Sequence, residues 1–315
     1  MNAAGKIRRI RLGCTLMLLC LACRPLLNAQ SPDSLNRESD TIHKARLTGV
    51  LAAQGTLYVA SLTGLYFAWY HDYPQSSFHL FNDDNEWMQT DKCGHGVTSY
   101  YISRIGYFTY RWSGVKEKKA AWFGGLLGFA YMMNIEILDG FSSEWGFSLG
   151  DLTANTLGSM IFIGQQLGWH EQRFSLKYSF HQTQFAQYRP DLLGDNLIQQ
   201  MVKDYNGHSY WISGNISSFL PGRSKFPKWL NIAVGYGAEG MTGGFSNPAG
   251  QGSHPATEFT RYRQFFLSLD VDLTRIPVKS KVLKVIFNVL SFIKIPSPTL
   301  EYNTLGQFKA YAFYY

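Results

Sequence analysis

Asp91 and His95 are the residues of this sequence best suited to chemistry. They lie four positions apart at the start of an apolar, helix-patterned segment, so on a helix their side chains share one face. A carboxylate beside an imidazole can fix the tautomer of the ring and raise its basicity, as a general base requires. Asp91 can also cap the first turn of the helix, and His95 can be a satisfied core histidine. Both interpretations stay open for His95, because capping explains only Asp91.

Two acids stand at the end of a later apolar segment. Glu136 and Asp139 lie one turn apart where the helix dipole is unfavourable to negative charge, so we expect a cation, a proton or a metal ion to face them. Lys92, Arg104 and His95 are the candidate partners within the chain. A structural salt bridge and a catalytic role both fit this arrangement.

A third polar group opens the next apolar segment. Ser148 and Asp151 match a capping box, which gives Asp151 a structural role in the first helical turn. Asn155 lies one turn later on the same side and has no such local role. If Asp151 and Asn155 face Glu136 and His95, the segments form one polar pocket inside a helical bundle.

Helices are needed to position these residues, and the apolar texture predicts four of them. They cover residues 49–70, 91–110, 119–138 and 148–168. The first is uncharged throughout and long enough to span a bilayer, which takes about 20 apolar residues. The small-xxx-small pairs at Gly124 with Gly128 and Gly164 with Gly168 predict close helix packing.

The second half of the sequence changes to short alternating runs separated by turn residues, which predict about six one-sided strands. An aromatic-rich run ends the chain, as in the last strand of an outer-membrane barrel, but a complete barrel takes about eight strands. We therefore predict an α+β protein, with a membrane-associated bundle of about four helices followed by an antiparallel β-rich half. The strands of this half can form a twisted sheet or a partial barrel. Residues 281–294 predict a helix along a membrane surface or in the core.

The N-terminus has the layout of a secretory signal peptide, with basic residues before an apolar run over residues 12–22. We predict cleavage after Ala29. Lipid attachment at Cys23 is the alternative, although Cys20 stands where a lipobox usually has an aliphatic residue. The predicted divisions are a signal peptide (1–29), a flexible leader (30–44), a helical domain (45–170) and a β-rich domain (171–315).

Charge and cysteine content restrict the possible partners. The chain carries a formal net charge of +7, but all five basic residues of the signal segment leave without an acid, so the mature chain carries +2. No clustered basic face remains for nucleic acid, and the glycine-rich turns lack the context of a phosphate loop, so we also expect no dinucleotide. Cys93 alone remains in the mature body and is expected to be a buried small hydrophobe.

The order of these motifs resembles a known family. An Asp-Lys-x-x-His start, an Ile-Glu ending a glycine-rich helix and a Ser-x-x-Asp-x-x-x-Asn-x-x-Gly helix are similar to the YfiM-like family of uncharacterised bacterial envelope lipoproteins. The same order is similar to VanZ-like membrane proteins, which are tied by name to glycopeptide resistance. The resemblance covers about residues 85–168, and the whole texture is similar to longer Bacteroidetes members of the first family. It implies no established reaction.

Two functional hypotheses follow for an exported envelope protein, with the outer membrane or periplasm favoured over the inner membrane. In the favoured one, the protein is non-catalytic, its polar network is structural, and it contacts membrane lipid or envelope proteins. In the alternative, a membrane-associated enzyme acts on an envelope lipid or cell-wall precursor. His95 is then the general base, Glu136 and Asp139 are acids or metal ligands, and Asn155 orients the substrate. This alternative requires His95 and Glu136 to lie within about 10 Å of each other. The sequence specifies no cofactor.

Overall fold

The computed structural model describes residues 41–71, 73–247 and 259–314. The predicted signal peptide and the candidate lipidation site at Cys23 lie outside these residues. In the described part, seven α-helices and six strands follow one another in the order α1 to α4, β1, α5, α6, β2 to β4, α7, β5 and β6. The helices are α1 Lys44–Leu65, α2 Thr90–Trp112, α3 Glu117–Gly140, α4 Leu149–Trp169, α5 Pro190–Leu193, α6 Leu197–Lys203 and α7 Lys281–Leu290.

Helices α2, α3 and α4 pack against one another at glycines. A Cβ atom at Gly124 of α3 would lie 2.5 Å from the backbone of Gly106 in α2, so the two helices meet backbone to backbone. Gly158 of α4 approaches Gly96 of α2 in the same way. Helix α1 runs alongside and is bound by polar contacts, including one from Gln54 to Thr109.

The strands form one antiparallel sheet in sequence order, in which every neighbour along the chain is also a neighbour in space. They are β1 Phe174–Phe180, β2 His208–Asn215, β3 Leu230–Glu239, β4 Tyr262–Val271, β5 Ser297–Asn303 and β6 Phe308–Tyr314. The sheet is open and strongly curled. Its curl brings Ser209 of β2 within 3.1 Å of the Tyr314 hydroxyl in β6. Buried aromatic rings, including Trp211 and Phe266, fill the space inside.

Helix α2 joins the two halves of the molecule. Gly94 lies against the ring of Tyr210 in β2, where a Cβ atom would come within 2.8 Å of the hydroxyl oxygen. The Tyr100 hydroxyl at the middle of α2 donates to the carbonyl of Phe174 in β1. These two contacts fix the first half of α2 against strands β1 and β2. The site residues near Gly94 therefore lie close to the sheet.

The α+β class and the antiparallel β-rich half are confirmed, and the sheet is open. The close-packed helical core has three helices, so the bundle of four helices stays a prediction, as does membrane association. Among the described residues one helix, α3, is long and apolar enough to cross a membrane, but a core helix passes the same test. One packing prediction is wrong: a Cβ atom at Gly164 or Gly168 would meet nothing within 4 Å, because this pair faces away from the neighbouring helices.

Candidate functional site

A cavity of about 210 Å³ lies between the start of α2, the end of α3 and the start of α4. We call it the carboxylate cavity, because six acids line it together with His95. The acids are Asp83, Glu86, Asp91, Glu136, Asp139 and Asp151. Five of the seven residues that the sequence singled out therefore line one cavity. The other two contact its lining residues, because Lys92 pairs with Asp83 and Asp151, and Asn155 contacts His95.

Both ring nitrogens of His95 have neighbouring side chains that orient the ring. Its Nδ1 lies 3.2 Å from Oδ1 of Asn155 and 3.3 Å from Oε1 of Glu136. Both of these atoms accept hydrogen bonds, so Nδ1 carries the proton. The other ring nitrogen, Nε2, points to Asp91 at 3.9 Å. Burial favours the neutral ring, but the surrounding carboxylates, with Asp91 first and Asp151 next, raise the pKa of His95 above its usual value.

Asp91 does not cap its helix, and the capping interpretation is wrong. The residue at the N-cap of α2 is Gln89, and no side chain caps this helix end. Asp91 instead accepts a hydrogen bond of 2.5 Å from the hydroxyl of Tyr205, a residue of the β-rich half. The chain enters α2 through Trp87, Met88 and Gln89, which all have positive φ angles, so the usual approach to an N-cap is missing.

This left-handed turn is strained, because each such residue costs roughly 1–2 kcal/mol. Backbone hydrogen bonds hold it in place. The amide of Trp87 donates to the carbonyl of Gly244 at 2.9 Å, and the Tyr236 hydroxyl donates to the carbonyl of Met88. The turn directs Glu86 and Trp87 to the wall of the carboxylate cavity.

Lys92 pairs with two of the carboxylates. Its Nζ lies 2.7 Å from Asp83 and 3.1 Å from Asp151. Ser148 caps α4 as predicted, because its Oγ accepts from the amide of Asp151, and its hydroxyl donates to Asp83 at 2.5 Å. Burial opposes ionisation of Asp83, but hydrogen bonds from Asp151 and Lys92 hold its pKa below the usual value. Burial raises the pKa of Asp151, so Asp83 is the ionised partner of this pair.

Glu136 is almost fully enclosed, with 1% of its surface exposed. It accepts from the amide of Ser148 and the side-chain amide of Asn155, both at 3.4 Å. Burial raises the pKa of Glu136 to about 7, against the lowering effect of His95. The expectation of a cationic neighbour thus fits Glu136 through His95. Their contact of 3.3 Å also meets the distance that a shared site requires.

Asp139 has a different partner from those considered in the sequence. It accepts a hydrogen bond of 2.6 Å from the hydroxyl of Tyr70, just beyond α1. Burial raises the pKa of Asp139 to about 6. Arg104 takes no part, because its guanidinium donates to Ser291 at 3.0 Å on another side of α2. Cys93 is mostly buried beside Asp91, and burial raises the pKa of its thiol to about 11.

Sequence reasoning missed four residues of this site. Asp83 and Glu86 belong to an acidic run before α2, which could have been flagged by its charge. Tyr70 and Tyr205 carry no local signal, because each reaches the site from a distant part of the chain. Tertiary packing alone brings these hydroxyl groups to Asp139 and Asp91.

Three of the side chains could hold a metal ion. One ligand atom from each of Asp91, His95 and Asp151 lies within 4.8 Å of the other two. A histidine nitrogen with two carboxylate oxygens suits Zn²⁺ or Mn²⁺. The His95 Nδ1 proton is already directed to Asn155 and Glu136, which leaves Nε2 on the side of Asp91. Ligating histidines commonly use this arrangement, in which the second nitrogen donates to a carboxylate or carbonyl.

Comparison with known proteins gives one match. A family model described as predicted periplasmic lipoprotein (DUF2279) matches residues 79–163, which include the whole polar part of α2, α3 and α4. No curated protein and no solved structure matches the chain. The segment that builds most of the carboxylate cavity is thus similar to predicted periplasmic lipoproteins, and this similarity supports export of the protein to the cell envelope.

Proposed function

We propose that this exported envelope protein is non-catalytic and membrane-associated, and that it binds a divalent metal ion in the carboxylate cavity. The observation that carries the proposal is the charge balance of the cavity. Six carboxyl groups line it, while Lys92 and His95 are the cations in contact with them. Enclosed charges of one sign repel one another, so they either take up protons or bind a cation.

The ligands of the proposed ion are Asp91, His95 and Asp151. Ligand atoms bound to one ion at about 2.1 Å lie at most about 4.2 Å apart. The three atoms lie within 4.8 Å of one another, so side-chain movements on the order of 1 Å bring them to one ion. Water ligands fill the remaining positions, for which the cavity of about 210 Å³ has room.

Supporting residues keep these ligands in place without binding the ion. Glu136 and Asn155 hold the ring of His95, and the Tyr205 hydroxyl holds one oxygen of Asp91. Lys92 neutralises Asp83 and shares Asp151, which lowers the number of free negative charges. Within the described part of the chain, Glu86 and Asp139 form no salt bridge of their own. Such support from a second layer of side chains commonly contributes 10-fold to 100-fold to metal affinity.

The test is a titration of the purified, EDTA-treated protein with Mn²⁺ or Zn²⁺, followed by calorimetry. We expect Asp91→Asn to weaken binding at least 10-fold, because it removes a charged ligand atom. The matched control is Asp191→Asn, which changes an exposed carboxylate on α5 and leaves the affinity unchanged. Equal affinity of wild type and Asp91→Asn, or no saturable binding by the wild type, overturns the proposal.

The same variants separate the proposal from the enzyme hypothesis. In a folded His95→Ala protein we expect metal binding to weaken, whereas Glu136→Gln weakens it less because Glu136 acts through the imidazole. Turnover of an envelope lipid or cell-wall precursor by the wild type, lost in both variants, contradicts the non-catalytic assignment. Circular dichroism of each variant checks that the fold is retained.

A further inference from the structure

The inner face of the curled sheet carries many polar side chains beside its buried aromatic rings, and the outer face of β3 to β5 is apolar. Its inner face carries buried polar side chains, among them Ser213, Asn231, Asp270 and Glu301. Residues next to these in the same strands point outward and are apolar. A sheet with one face in water normally shows the reverse arrangement, with apolar residues inside and polar residues outside.

The outward face of β3, β4 and β5 is continuous and exposed. Side chains directly opposite each other across neighbouring strands include Val234 with Leu267, which in turn faces Leu300. These three residues are 52%, 51% and 57% exposed. Ile232 and Leu269 continue the same face one pleat further along. Scattered apolar residues are common on protein surfaces, but a contiguous patch of this kind marks an interaction site.

Apart from Arg263 near the end of β4, the charged groups in the middle of these strands are turned inward and paired. Lys177 of β1 lies 2.6 Å from Asp270 of β4, and both side chains are enclosed by the sheet. Glu301 of β5 accepts a hydrogen bond of 2.7 Å from the Tyr311 hydroxyl and lies 3.6 Å from Lys309. The charged groups thus satisfy one another inside the curl of the sheet. The outer face can therefore contact an uncharged, apolar partner.

The dimensions of the apolar face fit a hydrocarbon layer. Strands β3 and β4 have ten residues each, and a transmembrane strand takes about 9–11 residues. Arg263, the charged residue that points outward on β4, stands at the end of the strand and bonds to Gln89 rather than lying in the apolar band. Tyr302 and Phe308 form a ring pair, with centroids 4.8 Å apart, on the outward side of β5 and β6.

We propose that the outward face of β3 to β6 lies against the hydrocarbon chains of a phospholipid bilayer. This inference rests on the membrane association in the proposed function, names the surface responsible for it, and is independent of the metal site. A bilayer fits better than water because the exposed side chains of these strands are apolar, whereas the polar side chains that alternate with them are buried. It fits better than a polar protein partner because the outward band offers no ionic or hydrogen-bonding side chain at Val234, Leu267 or Leu300.

The first test maps the lipid contact directly. A benzophenone amino acid replaces Leu267, or the exposed Lys225 in the loop between β2 and β3, and the full chain is reconstituted in vesicles of 3:1 phosphatidylethanolamine and phosphatidylglycerol. After illumination we expect phospholipid acyl chains cross-linked to position 267 and not to position 225. Cross-links from position 267 to a second copy of the chain, or no lipid cross-links at all in protein that floats with vesicles, overturn the inference.

The second test uses charge. Val234→Lys/Leu267→Lys places two ammonium groups side by side on the outward face, and we expect at least a fivefold smaller fraction of protein floating with the same vesicles. Val234→Ala/Leu267→Ala keeps the face apolar and should float like the wild type. If the lysine variant floats unchanged and stays folded, this surface is not the one in contact with lipid. If the wild type does not float, the proposed membrane association itself fails, while the metal titration stands on its own.

Discussion

His95 shows how much of the site could be predicted from residue types and spacing. The sequence placed it with Asp91 on one helical face and suggested Glu136 as a partner, and the side chains do meet. The same reasoning assigned Asp91 to capping, which is wrong because the left-handed turn before α2 occupies that end. Local rules could not show this turn, since its conformation depends on a hydrogen bond that the Trp87 amide donates to the carbonyl of Gly244 and on one that the Tyr236 hydroxyl donates to the carbonyl of Met88.

Glu86 provides a test of the crowded charges at the residue scale. Burial, and then Asp91 and Asp83, raise the pKa of Glu86 from about 4.5 to about 7. Because the folded pKa is raised, the protonated group contributes stability below about pH 4.5. That contribution is lost as the pH rises through about 7. Glu86→Gln removes this loss and should stabilise the EDTA-treated protein by on the order of 1–2 kcal/mol at pH 8.

Chemical unfolding at pH 4.5 and pH 8 measures this effect. The gain from Glu86→Gln should be much smaller at the lower pH, where the wild-type carboxyl is protonated in the folded state and about half protonated in the unfolded state. Glu144→Gln is the control, because Glu144 is exposed in the loop before α4. An equal gain at both pH values would show that the benefit comes from packing and not from charge.

Elements were more predictable than their packing. Apolar periodicity predicted the bounds of α2, α3 and α4 to within a few residues and the number of strands in the sheet, because each element buries one face along most of its length. The small-xxx-small pattern occurred twice, and only the pair in α3 lies at a helix crossing. Spacing alone could not separate the two pairs, since both are apolar helical stretches and the contact depends on which way each helix faces.

The two glycine pairs give a matched prediction at the scale of the elements. Gly124→Ala places a methyl group 2.3 Å from the backbone nitrogen of Tyr107, so α2 and α3 must separate. We expect a loss of about 2–3 kcal/mol in the free energy of unfolding. Gly164→Ala meets open space in α4 and should gain up to about 1 kcal/mol from better helix propensity. Thermal unfolding of both variants measures the contrast, and a similar change in both contradicts the assigned crossing.

At the scale of the whole molecule, the curl of the sheet depends on contacts that no local pattern contains. The sequence predicted one-sided strands and left a partial barrel open, but it did not indicate which face of the strands would lie inside. In the structure the polar face is inside because Lys177, Asp270 and other groups satisfy one another across the curl. The segment around Ile293 also pairs with Tyr178 at the free edge of β1.

The ion pair between Lys177 and Asp270 tests this arrangement. The two atoms lie 2.6 Å apart, with side chains 2% and 0% exposed, and Ser213 donates a further hydrogen bond to Asp270. Asp270→Asn leaves the ammonium of Lys177 enclosed without its counter-charge, so we expect a loss of about 3–5 kcal/mol. Lys177→Met/Asp270→Leu removes both charges and should be less destabilising, because the ammonium of Lys177 is then not left without its counter-charge. The buried Lys294 loses the attraction of the Asp270 carboxylate equally in both variants. Unfolding by guanidinium in detergent micelles compares the two. If the double variant has a free energy of unfolding no higher than that of Asp270→Asn, the expectation is contradicted. The attraction within the ion pair, and not the cost of an isolated buried charge, would then stabilise the curled sheet.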